Sequence, residues 1–170
     1  MNTMYKILTI SSPLFINILL IIKYLNSDDI FYLKFFYILL GSSFFNHFLK
    51  SFIFKPLMGN SRYPIIGIGQ RPVGAKNCGL FYKKNDKLAT SYGMPSGHSQ
   101  EVATFSTISI LKILDSQQVF SLKVFEYFIL ILFTIFIAHS RIYLGCHTLQ
   151  QTIIGSMIGI FIGYKSYKYT

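Results

Sequence analysis

The sequence predicts an all-α protein: a polytopic membrane helical bundle of about five transmembrane helices, with a long polar loop between the second and third. Three observations predict it. Of the 170 residues, 52% are hydrophobic and only 13% charged. Mean hydropathy is +0.46, outside the usual soluble range. Uncharged stretches recur at Ile7–Ile22, Phe35–Leu49, Tyr127–Ser140 and Thr148–Tyr164, with a weaker fifth at Val102–Leu111. Each strong stretch approaches the roughly 20 residues that cross a bilayer, and flanking lysines can snorkel to complete the span.

The first helix is expected over about residues 5–25, closed by the turn Asn26-Ser27-Asp28-Asp29. The second runs over about 30–54 and ends near Lys55-Pro56, because proline disfavours helix in the residue before it. Residues 56–95, rich in Gly, Pro, Asn and Lys, form the long loop. The third helix starts at Ser96-Gly97-His98, with Ser96 as N-cap and Glu101 complementing the positive end. The fourth spans about 120–140 and the fifth about 147–166. On the fifth, His147, Gln151, Gly155, Gly159 and Gly163 recur every fourth residue and share one face. The glycines let another helix approach closely and offer a seam for an oligomer. The whole chain, 1–170, reads as a single integral-membrane domain.

The formal charge of +10 comes without a long basic run or a nucleic-acid motif, so nucleic acid is not an expected partner. A basic mouth attracting anionic headgroups fits better. Cys78 and Cys146 fall on one side in this topology, so a disulfide is open to them, although two free thiols are the expected state. Lys23-Tyr24-Leu25-Asn26 lacks the small residues of a signal-peptide cleavage site.

If the helices alternate direction, three places meet on one membrane face: the end of helix two, the start of helix three and the junction of helices four and five. Those places carry Pro95-Ser96-Gly97-His98, and Ser140-Arg141 followed by His147. Two histidines, an arginine and a serine-glycine turn are the parts needed to move a phosphoryl group without a metal or cofactor. One histidine attacks phosphorus, the other protonates the leaving oxygen, and the cation and backbone amides hold the phosphate oxygens. His139 and His47 read as packing or interfacial residues.

Together with Arg71-Pro72, these motifs resemble the type 2 phosphatidic acid phosphatase superfamily, which includes the vanadium haloperoxidases. Its signature is a lysine, six residues and Arg-Pro; then Pro-Ser-Gly-His; then Ser-Arg, five residues, His, three residues and Asp. The resemblance covers about residues 46–163. Gly93-Met94-Pro95-Ser96-Gly97-His98-Ser99-Gln100, Arg141-Ile142-Tyr143-Leu144-Gly145-Cys146-His147-Thr148 and Asn46-x-x-x-Lys50 look most like the dolichyl-diphosphatase branch. The resemblance implies His147 as the nucleophile, oriented by Gln151, and His98 as the general acid. It implies Lys50, Arg71, Arg141, Ser96 and Gly97 as phosphate ligands.

Two departures stand out. The residue seven before Arg71 is Pro64, so the motif lysine is Lys50 with an insertion over Leu57–Gln70, or Lys55, or more distantly Arg62. Gln151 replaces the Asp; its amide oxygen can fix the imidazole tautomer but cannot stabilise a charged ring as a carboxylate does. The expected function is a metal-independent lipid phosphatase acting on a polyisoprenyl diphosphate through a phosphohistidine. The alternatives are a phosphatase of phosphatidate or another lipid phosphate, and an inactive phospholipid-binding scaffold. A haloperoxidase does not fit so short and apolar a chain. Lys and Arg outside the site divide seven to six between the faces, so orientation rests on the resemblance, which suggests a lumenal or external site in the endoplasmic reticulum or plasma membrane.

Overall fold

The computed structural model describes residues 3–59, 69–75, 78–79, 89 and 91–170. The described residues form five long helices: α1 (Thr3–Ser27), α2 (Ile30–Phe48), α3 (Gly97–Leu114), α4 (Phe120–Tyr143) and α5 (Leu149–Tyr167). Most of the loop expected over 56–95 lies outside the described residues. Central α3 packs most extensively on α5 and also meets α4, α2 and α1, whereas α1 and α4 touch only sparsely.

The α1–α2 turn forms as expected: Asp28 takes a positive φ of 53°, and the Asp29 carboxylate accepts from the Phe31 amide at 2.9 Å. The end of α2 does not. The chain continues as a π-helical segment, Leu49–Phe54, and a last turn, Lys55–Met58. Proline has no N–H to donate to the carbonyl four residues back and its ring crowds that carbonyl. The wider π turn absorbs this ahead of Pro56, with the Lys55 amide bonded to the Lys50 carbonyl.

Polar residues lie inside this bundle and apolar ones outside. Thr9, Ser42, Asn46, Gln100, Glu101, Thr104 and Gln151 are buried, while Phe125, Phe128, Ile131 and Ile135 of α4 are exposed. Such a surface is stable in lipid rather than in water. Two helices, Met4–Ser27 and Phe120–Tyr143, are long and apolar enough to cross a membrane alone. The others carry polar side chains that bond to neighbouring helices. Asn46 Nδ2 donates to Gln100 Oε1 at 2.8 Å, and Gln100 Nε2 donates to the Ser42 carbonyl at 2.8 Å. Glu101 does not serve its own helix end, because its two oxygens accept from Asn17 (2.8 Å) on α1 and Ser43 (3.0 Å) on α2.

The glycine face of α5 is used within the chain. A Cβ on Gly155 would meet the Ser96 carbonyl at 2.5 Å, one on Gly159 would overlap the Gln100 carbonyl, and one on Gly163 would reach Thr107 at 2.8 Å. This close approach to α3 removes these glycines as the surface for the oligomer expected from the sequence. Gly159→Ala should therefore lose about 1–3 kcal/mol through overpacking, against the helix propensity that favours alanine. Gly41→Ala, on α2 with nothing within 4 Å, should be neutral or stabilising. Thermal unfolding of both variants in detergent checks the contrast.

Candidate active site

His147 lies on the short link between α4 and α5. The structure corrects its expected place on the fifth helix, which begins at Leu149. The cause is a capping box, a signal present in the sequence as Thr148-x-x-Gln151. The Thr148 hydroxyl accepts from the Gln151 amide at 3.3 Å, and the Gln151 side-chain oxygen accepts from the Thr148 amide at 3.3 Å. Before it, Gly145 takes a φ of 67°, and the amides of Cys146 and His147 fold back onto the Arg141 carbonyl at 2.9 and 3.2 Å.

Gln151 decides the state of the His147 ring. Its Nε2 donates to the carbonyls of Gly69 (3.2 Å) and Gln70 (2.8 Å), so its Oε1 must be the end facing His147 Nδ1 at 3.1 Å. An amide oxygen only accepts. Nδ1 therefore carries the proton and Nε2 keeps its lone pair. The ring is 4% exposed. Burial, followed by the positive charges of Arg71 and Lys50, pushes its pKa well below the ordinary histidine value, so it is neutral at pH 7.

His98 is held differently. Its Nε2 lies 3.0 Å from the Ile10 carbonyl of α1. A carbonyl only accepts, so this nitrogen bears a proton and Nδ1 is left to exchange one. Ser96 is fully buried but does not cap α3; its hydroxyl accepts from Ser99 Oγ at 3.0 Å. Its amide donates to the Gln151 carbonyl at 3.0 Å, joining the turn to α5. The first-turn amides of α3 thus lack a side-chain cap, the condition under which a helix N-terminus receives an anion. Gly97 faces Asn46, whose Oδ1 would lie 3.2 Å from an added Cβ.

Three cations surround the histidines. Arg71 donates through Nε to the Ser91 carbonyl (2.9 Å), through Nη2 to Ser91 Oγ (2.8 Å) and through Nη1 to the Cys146 carbonyl (3.0 Å). Burial lowers it to about 10, still protonated at neutral pH. Lys50, one turn after Asn46 on the π-helical segment, lies within electrostatic reach of Arg71 and both histidines. Lys55 is exposed on the next turn, and Arg62 lies outside the described residues. Arg141 is 0% exposed, and its Nη1 and Nη2 are buried without a hydrogen-bond partner among the described residues. Among the described residues no carboxylate pairs with these cations: Glu101 is engaged with Asn17 and Ser43, and Asp28, Asp29, Asp115 and Glu126 belong to the opposite end of the bundle. His139 stacks on Tyr143 and His47 is exposed.

The two cysteines are not free. Cys78 and Cys146 form a disulfide across 68 residues, correcting the expected thiols. It fixes the peptide before His147, which Arg71 also holds through the Cys146 carbonyl.

The family model of the PAP2 superfamily matches residues 31–170. The chain belongs to that superfamily. Dolichyldiphosphatase 1 of Dictyostelium discoideum is 38% identical over 81 residues, covering 45% of this chain and 35% of that protein. The dolichyldiphosphatase of Saccharomyces cerevisiae is 37% identical over 84 residues, 47% of this chain and 34% of that protein. The chain thus spans about a third of the length of these curated relatives. No solved structure matches it.

In this PAP2 chain, Gln151 does something an Asp cannot: it donates to two carbonyls. Gln151→Glu keeps the shape and turns that donor into an acceptor. It should destabilise the protein by about 1–3 kcal/mol at neutral pH. The loss should shrink as pH falls, because a protonated carboxyl can donate again. Unfolding measured from pH 4 to 8 checks both the size and the sign.

Proposed function

We propose that the protein is a multi-pass membrane phosphatase that removes phosphate from a polyisoprenyl diphosphate through a phosphohistidine at His147. The observation that carries this reading is the buried Arg141, with both terminal nitrogens lacking a hydrogen-bond partner among the described residues and with Arg71 and His98 in electrostatic reach. A buried, uncompensated cluster of cations is costly unless an anion enters it. Membership of the PAP2 superfamily supports a phosphoryl group as that anion, and the names of the two relatives support a polyisoprenyl diphosphate as its carrier.

The chemistry follows from the two tautomers. His147 Nε2 attacks the terminal phosphorus, and the bond from phosphorus to the bridging oxygen breaks. Lys50, Arg71, Arg141 and the first-turn amides of α3 hold the phosphoryl oxygens and balance the charge developing there. The step requires a second proton on the His98 ring, taken up from water as the substrate binds. That ring gives its Nδ1 proton to the departing oxygen while Nε2–H stays on the Ile10 carbonyl. Water then attacks the phosphohistidine and yields its proton to His98 Nδ1. Inorganic phosphate leaves and His147 is restored. Gln151 keeps the His147 proton on Nδ1 throughout, so Nε2 is the nitrogen that carries phosphorus.

All five helices cross the bilayer in this reading, with α2, α3 and α5 screened by their neighbours. The disulfide supports a site that faces an oxidising compartment, the lumen or the exterior. Phosphate release should be measured in detergent with EDTA present, from a polyisoprenyl diphosphate and from phosphatidate. Release should persist in EDTA and favour the diphosphate. His147→Ala should abolish it, and His98→Ala should slow it by about 10²–10⁴-fold. Release that survives His147→Ala contradicts the mechanism. No release from either lipid by folded protein points to a scaffold.

A further inference from the structure

We infer that the furrow between α1 and α4 receives the substrate's apolar tail, an inference that rests on the lipid phosphatase reading above. A cavity of about 380 Å³ lies along this seam, lined by Leu8, Ser12, Phe15, Phe133, Phe136 and Ile137, among others, with Leu19 and Phe105 at its far end. Leu19 and Phe105 also line a second cavity of about 340 Å³ that continues toward the opposite face over Leu20, Phe31 and Phe35. From Leu8 to Leu19 the helical rise alone gives roughly 16 Å of apolar channel.

Three observations join this furrow to the phosphate site. Ile137, on its wall, lies one helical turn below Arg141. The Ile10 carbonyl that holds His98 belongs to the stretch of α1 between Leu8 and Ser12. Tyr5 roofs the near end: it packs edge-on against Phe136 and Tyr143 at 5.6 and 5.7 Å and lies within electrostatic reach of Arg141. A lipid with its phosphate among the cations therefore has an apolar path directly beneath it. Because α1 and α4 touch only sparsely, a tail can enter sideways from the bilayer without threading a closed tunnel. The α1 wall lies outside residues 31–170, the part that matches the family. The α4 wall, Phe133–Ile137, lies inside it.

The test is a prenyl phosphate carrying a diazirine in its tail, photolysed on detergent-purified full-length protein, with the adducts mapped by mass spectrometry. Phosphate release is followed in the same preparations. Adducts should fall on the Leu8–Leu19 stretch of α1 and on Phe133–Ile137 of α4. Leu19→Trp, which narrows the furrow at a half-exposed position, should reduce labelling by long tails by about tenfold, equivalent to losing the burial of a couple of methylenes. It should leave a short-chain phosphate ester unaffected. Phe133→Ala widens the furrow and should raise labelling, which covers the case where Leu19→Trp fails to fold. Adducts confined to α2 or α5, or equal labelling of the furrow by a diazirine phosphatidylcholine, would overturn the inference. Intact furrow labelling without phosphate release would uphold the furrow and refute the phosphatase reading.

Discussion

Three separate pieces of chain are held together by the Gln151 amide and its own backbone. The side-chain oxygen caps α5 through Thr148 and orients His147. The side-chain nitrogen ties down the Gly69 and Gln70 carbonyls, and so the segment that delivers Arg71. The backbone carbonyl receives the Ser96 amide. All of this takes place in a fully buried position, where an unmet donor or acceptor costs most. The surroundings leave no room for adjustment. A Cβ on Gly93 would meet Gln151 Nε2 and the Arg71 amide, each at 2.7 Å. The geometry of both histidine-bearing segments and of Arg71 thus depends on one residue, its side chain for His147 and Arg71 and its backbone for the turn before His98. The replacement of Asp by Gln is accordingly a different solution rather than a weakened one: charge stabilisation of the ring is exchanged for a tethered loop.

The bundle beneath serves to bring those pieces to one end. Central α3 bonds to α2 through Asn46, Gln100 and Ser42, to α1 and α2 through Glu101, and to α5 across bare glycines. Polar groups in an apolar bundle must find partners. These pairings therefore fix how the helices register, more sharply than the greasy contacts around Phe35, Phe105 and Ile108. Register in turn sets the heights of Lys50, His98 and Arg141.

Much of this was legible in the sequence. The uncharged stretches gave five helices, Pro95-Ser96-Gly97-His98 and Ser140-Arg141 marked the converging end, and the four-residue glycine spacing marked the tight α5 contact. Other features were not legible, for physical reasons. The donors and acceptors of Gln151 lie about 80 residues apart in sequence, and its amide looks the same whichever way it turns. Glu101 sat where a helix-end charge would serve, and only the packing of Asn17 and Ser43 against it reveals a cross-helix tie. Pro56 signalled a helix end because sequence patterns do not distinguish stopping from widening into a π turn. The disulfide needed the Cys78 segment folded over the α4–α5 link, which spacing alone does not dictate. The Thr148-x-x-Gln151 capping box was present and would have moved the start of the fifth helix.

The central claim is that phosphorus passes through Nε2 of His147. Its most direct test is to quench the protein within its turnover time during reaction with a terminally radiolabelled polyisoprenyl diphosphate, then map the label. Label should appear on His147, stable to alkali, lost in acid and absent from His147→Ala. Rapid release of phosphate with no labelled protein at any quench time, or label on another residue, would contradict that claim.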